Sequence, residues 1–232
     1  MAIFFSEDIT ICFCFCFSLY LRKNRNNMIY EDFREAFIDQ VCFTSNQVYA
    51  WYPGFDKNNL SRWLKKNYLI KLRNGFYMFR ELSDTPNINY YVSNRIYLPS
   101  YISLQAALAF YGFIPEAIIN ITGVSTRKTA IFTNELGSFT YNKLSEKLFF
   151  GFDYKPFLKD KTILMASPEK ALLDLLYLNA FYISEKDMLD LRLDNDMIKD
   201  AINKNKLLEM LNYFENKALE RRVDRVLKLY EL

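Results

Sequence analysis

The 232-residue chain contains no histidine. That absence excludes Ser-His-Asp and Cys-His catalysis, histidine proton relays and every metal site built on imidazole, which together are most of the enzyme repertoire at neutral pH. Cysteine is scarce too: Cys12, Cys14 and Cys16 alternate with phenylalanines, and Cys42 stands alone. Four cysteines so placed are no disulfide framework, and they fit a reducing compartment. The C-x-C-x-C run has donors for a soft metal, but no second ligand pair follows at zinc spacing, and Cys42 reads as a small core residue. Long apolar runs are also missing. The longest, Ile9 to Leu21, is broken only by Thr10 and Ser18 and falls short of the roughly 18 apolar residues of a membrane span. A signal peptide carries its positive charge ahead of the apolar run, whereas here Glu7 and Asp8 precede it and Arg22, Lys23 and Arg25 follow.

Of the residues present, 51% are hydrophobic and 17% aromatic, enough to bury a sizeable core in one large domain or two small ones. Ordinary globular patterning begins at Met28. Residues 1–27 are therefore expected to be an extension upstream of the natural start, non-native or disordered; a short membrane anchor is the alternative reading of the same run.

The stretch Asp56 to Phe79, DKNNLSRWLKKNYLIKLRNGFYMF, organises the rest of the chain. Leu60, Trp63 and Leu64 have the i, i+3, i+4 spacing of a buried helical face, leaving Lys57, Asn58, Asn59, Arg62, Lys65 and Lys66 outward. Asn67 suits the left-handed residue that ends such a helix. The β-prone runs Leu69–Leu72 and Phe76–Phe79 flank Asn74-Gly75, a tight-hairpin signal. Helix followed by hairpin is the second half of a winged helix-turn-helix. Between Asp56 and Arg80 stand seven basic residues (Lys57, Arg62, Lys65, Lys66, Lys71, Arg73, Arg80) and one acid, a local +6 in a chain of net +3. A local excess of that kind is an electrostatic footprint for nucleic acid.

Upstream, Ile29, Phe33, Phe37 and Val41 repeat every four residues and predict a first helix, against which Phe43 closes. Thr44 and Ser45 are caps for a second helix with Val48 and Tyr49 inward, stopped by Pro53-Gly54 before Asp56 caps the third. Three helices and a wing fit within residues 28–80. Residues 81–97, with Pro86 and little periodicity, read as a linker. From residue 98 a mixed α/β domain is expected: a helix Ser103–Tyr111 ended by Gly112, β-prone runs at Ala117–Thr122, Thr129–Thr133, Phe139–Lys143, Leu148–Phe152 and Thr162–Ala166, and a helix opened by Ser167-Pro168-Glu169 that buries Ala171, Leu172, Leu175 and Leu178. Residues 184–232 read as helical, with a capping box at Ser184 and Asp187 and a final stripe Leu219, Val223, Val226, Tyr230. The fold class is thus α+β: a winged helix-turn-helix, then a mixed α/β domain with a helical C-terminal region.

Four blocks, YISLQAALAFYGFIPEAI (101–118), TGVSTRKT (122–129), LFFGF (148–152) and ASPEKALLDLLYL (166–178), resemble in order and wording the AbiEi-type abortive-infection antitoxins over about residues 28–232. The resemblance implies a cytoplasmic antitoxin of a bacterial two-gene toxin-antitoxin system used in phage defence, which also binds promoter DNA and represses its own operon. Its partner would be a nucleotidyltransferase-like toxin. Gly137-Ser138 is followed by no Asp-x-Asp at suitable distance, and Asp194 and Asp196 lie far away in a helical region, so no enzymatic role and no cofactor or metal are expected.

On this reading Asn58, Asn59 and Arg62 address base edges, Lys57, Lys65 and Lys66 address phosphates, and Lys71, Arg73 and Asn74 on the hairpin reach phosphate or minor groove. Trp63 and Tyr68 read as core. Ser125, Thr126, Arg127 and Lys128 form a basic hairpin loop: a second DNA contact, a partner surface or a plain exposed turn. Glu169 and Lys170 read as structural first-turn residues. The competing functions are a module that neutralises a toxin directly without specific DNA binding, and a metal-dependent nuclease or nucleotidyltransferase.

Overall fold

A computed structural model describes residues 28–115 and 119–232. The expectations for residues 1–27, including the cysteine run, and for a strand starting at Ala117 lie outside the described residues. Ten helices and two sheets make the described chain a mixed α+β protein. It divides into two units: residues 28–71 with Gly75–Glu81, and Leu72–Asn74 with Leu82–Leu232.

In the first unit, α1 (Tyr30–Phe37) continues as a 3-10 turn to Gln40. Phe33, Phe37 and Val41 are buried as the four-residue spacing predicts, but Ile29 is exposed, because it precedes the helix in extended conformation. β1 (Cys42–Thr44) leads into α2 (Ser45–Trp51), which begins at a complete capping box: Thr44 Oγ1 accepts from Gln47 N at 3.2 Å and Gln47 Oε1 accepts from Thr44 N at 2.7 Å. Replacing Thr44 by alanine removes the Oγ1 cap on Gln47 N and leaves the residue-44 N–H free to keep its bond to Gln47 Oε1. It is expected to cost about 1 kcal/mol in urea unfolding, with Cm lowered and m unchanged.

Next come α3 (Asn58–Lys65), β2 (Leu69–Arg73) and β3 (Phe76–Phe79), in a three-stranded sheet of order β1-β3-β2. β1 and β3 run antiparallel, with Phe43 opposite Tyr77. The core is aromatic: Phe33 lies within 4.7–5.9 Å, centroid to centroid, of Phe37, Phe43, Phe55, Trp63 and Phe79. Such rings bury large area and add edge-to-face attraction.

Residues 81–97 are not a linker. A short 3-10 turn ends at Leu82, and α4 (Ile88–Ile96) buries Ile88, Tyr91, Val92, Ser93, Asn94 and Ile96. A helix buried on several faces has no amphipathic period to read, and its inward polar groups are satisfied by the sheet beneath. Tyr141 donates its hydroxyl to Ser93 O at 2.7 Å, which leaves Ser93 Oγ to donate to Tyr141 Oη at 3.0 Å. The Asn94 amide brackets Leu164, accepting from its N–H at 2.8 Å and donating to its carbonyl at 3.3 Å.

That sheet has six strands: β4 (Ser100–Ile102), β5 (Asn120–Ser125), β6 (Ala130–Asn134), β7 (Gly137–Lys143), β8 (Phe152–Pro156) and β9 (Thr162–Ala166), in the order β6-β7-β5-β4-β9-β8. The run Leu148–Phe152 is not a strand. Residues Glu146–Leu148 form a 3-10 turn, and Gly151, in the left-handed region at φ 74, precedes the strand. Nor is Ser125–Lys128 a hairpin loop, because β5 pairs in parallel with β7 while β6 pairs antiparallel with β7. The loop is a crossover past an intervening strand. At Gly123 the β4 backbone comes so close that a Cβ would sit 2.7 Å from Tyr101 O.

Helix α5 (Leu104–Phe110) packs its alanines, Ala106 and Ala107, inward. Helix α6 (Pro168–Leu178) is capped by Ser167 and buried continuously from Glu169 to Leu176, so its burial extends well beyond the expected apolar stripe, while Leu178 is half-exposed. Four further helices follow: α7 (Glu185–Leu189), α8 (Asn195–Ala201), α9 (Lys204–Asn212) and α10 (Lys217–Leu229). Each starts at a side-chain cap, Ser184, Asp194, Asn203 and Asn216 in turn. Leu219, Val223, Val226 and Tyr230 form the buried stripe read from the sequence. Among the described residues no helix is long and apolar enough to cross a membrane.

Candidate nucleic-acid interface

Local chemistry sets the position of α3. Asp56 Oδ1 accepts from Asn58 N and Asp56 O accepts from Asn59 N, both at 2.9 Å, so the aspartate satisfies the opening N–H groups. At the other end Asn67 takes φ 63, Tyr68 N donates to Trp63 O and Asn67 N to Leu64 O. This pair of bonds is the Schellman closure, and it turns the chain directly into β2. Leu60 and Trp63 are buried, which fixes the opposite face outward.

On that outward face Lys57, Asn58, Ser61, Arg62, Lys65 and Lys66 are exposed. Lys71 projects from β2 between buried Ile70 and Leu72. Among the described residues Lys57, Lys65, Lys66 and Lys71 enter no ion pair. Arg62 lies 3.5 Å from Asp56, a solvent-exposed pair of small worth. Lys66 stands 5.9 Å from the ring of Tyr68. Tyr68 is itself 41% exposed despite its 4.5 Å contact with Tyr30, so it is not the core residue expected.

Two expected contacts are placed otherwise. Asn59 is 5% exposed and its Oδ1 accepts from the Arg62 guanidinium, which makes it a support for Arg62. Position 59 is one helical turn before Trp63 and so shares its inward side. Arg73 belongs to the second unit: it donates to Ile96 O at 2.5 Å and its guanidinium lies 4.7 Å from the Phe132 ring centroid. Asn134 Nδ2 also donates to Leu72 O at 3.0 Å. Asn74 remains exposed beside Gly75, which carries the left-handed φ of 77. In the crossover, Arg127 stacks 4.7 Å from the Tyr97 ring centroid and donates to Leu98 O at 3.3 Å, while the Lys128 carbonyl accepts from Tyr97 Oη.

Sequence patterning does not reveal a buried polar cluster in the second unit. Asp174 Oδ2 accepts from Tyr101 Oη at 2.9 Å and Ser103 Oγ at 2.8 Å, and its Oδ1 pairs with Lys170. Lys170 Nζ also donates to Tyr101 Oη at 2.9 Å, within 5.1–5.6 Å of the rings of Tyr101, Phe150 and Phe214. Burial pushes the Asp174 carboxyl up and the Lys170 ammonium down, against the attraction between them. Glu169 is raised by burial and lowered by bonds from Lys206, Ser167 and Asn203 N; the bonds prevail. One sequence signal for the cluster exists: Lys170 and Asp174 are an i, i+4 pair in a helix that is apolar from Ala171 onward apart from Asp174 itself. Among the described residues no group of three or more His, Cys, Asp and Glu could hold a metal ion.

No family model matches the chain, and no curated protein matches it.

Proposed function

We propose that the first unit is a winged helix-turn-helix that binds double-stranded DNA, with α2 and α3 as the helix pair, β2 and β3 as the wing, and α3 in the major groove. The observation that carries this reading is the row of exposed lysines, Lys57, Lys65, Lys66 and Lys71, around the outward face of α3 and its strand, without an ion pair among the described residues. Helix-turn-helix proteins read bases from the first turns of their second helix and hold phosphate with flanking cations. Asn58 and Arg62 take the base-reading role, with Asn59 bracing Arg62; the lysines take phosphates. Arg73, bound within the second unit, takes neither.

Together with the four sequence blocks, this supports a cytoplasmic antitoxin and autorepressor whose second unit opposes a nucleotidyltransferase-like toxin. In fluorescence-anisotropy titrations, a duplex from upstream of the chain's own reading frame should bind more tightly than a scrambled duplex. Arg62→Ala should reduce that preference by about 1–3 kcal/mol, and Lys66→Ala should weaken both duplexes alike. Equal binding of both duplexes by the wild-type protein would remove the autorepressor reading.

A further inference from the structure

The six-stranded sheet ends in two edges that are built differently. β8 carries Asp153, Lys155 and Pro156, charges and a ring that discourage a further strand. β6 reads Ala130-Ile131-Phe132-Thr133-Asn134, with no charge and no proline. Asn134 is opposite Gly137 across the two-residue turn Glu135-Leu136. In such a tight antiparallel hairpin the closing pair is hydrogen-bonded, so residues 130, 132 and 134 bond to β7. The N–H and C=O groups of Ile131 and Thr133 therefore point to the open edge. Both residues are exposed, Ile131 to 66%.

The segment is also self-complementary. When two copies run antiparallel about a two-fold axis at Ile131, each Ile131 faces its counterpart, each Thr133 meets Thr129 just ahead of the other copy's strand, and the turn carrying Glu135 comes near the Arg127–Lys128 segment of the other copy. Within the strand, Ile131 and Thr133 share the parity of the outward-pointing backbone groups. Exposed Arg127 and Lys128 at one end and Glu135 at the other give this orientation a charge match that the parallel one lacks.

We propose that β6 is the dimer interface of this protein, joining two copies edge to edge into a continuous twelve-stranded sheet. A closed two-fold pairing is isologous and consumes the open edge, so β6 is not left unpaired to template further chains. Such a dimer does not depend on DNA binding, although two-fold symmetry is what an inverted-repeat operator requires.

Sedimentation velocity on the full chain tests it. Wild-type protein should sediment at twice the chain mass, and Ile131→Lys, which sets two ammonium groups face to face at the axis, should sediment as a monomer with unchanged circular dichroism. Tyr154→Lys on the opposite edge strand should leave the dimer intact. A monomeric wild type, or an Ile131→Lys variant that remains dimeric, would overturn the assignment.

Discussion

Replacing Lys170 by methionine is expected to destabilise the protein by about 3–5 kcal/mol, measured by urea unfolding. Methionine fits the aromatic surroundings of Tyr101, Phe150 and Phe214, so the loss arises from charge. Asp174 is left fully buried, with two hydroxyls for partners and no cation. A buried ion pair need not be net stabilising against apolar residues of the same size, but removing one member strands the other. The double variant Lys170→Met, Asp174→Leu should accordingly recover most of the loss.

The pH dependence of the single variant has a definite sign. Asp174 has a native pKa already raised by burial above its ordinary 3.8, and loss of Lys170 raises it further. A group raised in the folded state favours folding at low pH and loses that contribution as pH climbs through its native value. The deficit of Lys170→Met should therefore be small near pH 4 and grow toward neutrality. A deficit under 1 kcal/mol at pH 7 would mean that the cluster does not hold a charged pair.

The second large effect concerns salt. Changing Lys57, Lys65, Lys66 and Lys71 together to alanine should flatten the slope of log affinity against log salt by about 3–4 units, roughly 0.9 for each phosphate no longer neutralised. All four are exposed, so folding should be unaffected. The effect should be largest at low salt, where released counterions contribute most, and it should appear on any duplex, whatever its sequence.

How far these sites are legible in the sequence depends on the range of the forces involved. The ends of α3 and its hairpin are set by Asp56, Asn67 and Gly75 within a few residues of the backbone groups they serve, and those ends can be read directly. Helix α4 cannot, because its Ser93 and Asn94 look like surface residues until Tyr141 and Leu164, 48 and 70 positions away, are brought to them. Arg73 is a similar case. In sequence it is a hairpin cation, and only the fold supplies Ile96 and Phe132 to hold it. Asn59 is different, since its position one turn before Trp63 is simple helical arithmetic. The crossover at Ser125–Lys128 resembles a hairpin in sequence because strand order is a property of the assembled sheet: nothing local shows that β7 lies between β5 and β6.

The α3 surface carries the functional reading, and one measurement tests it most directly: titration of a labelled upstream duplex with wild-type protein and with the four-lysine variant across a series of salt concentrations. The expected result is tight, steeply salt-dependent binding by the wild type and a slope about 3–4 units shallower for the variant. No binding by the wild type, or the same affinity and slope for both proteins, would contradict it.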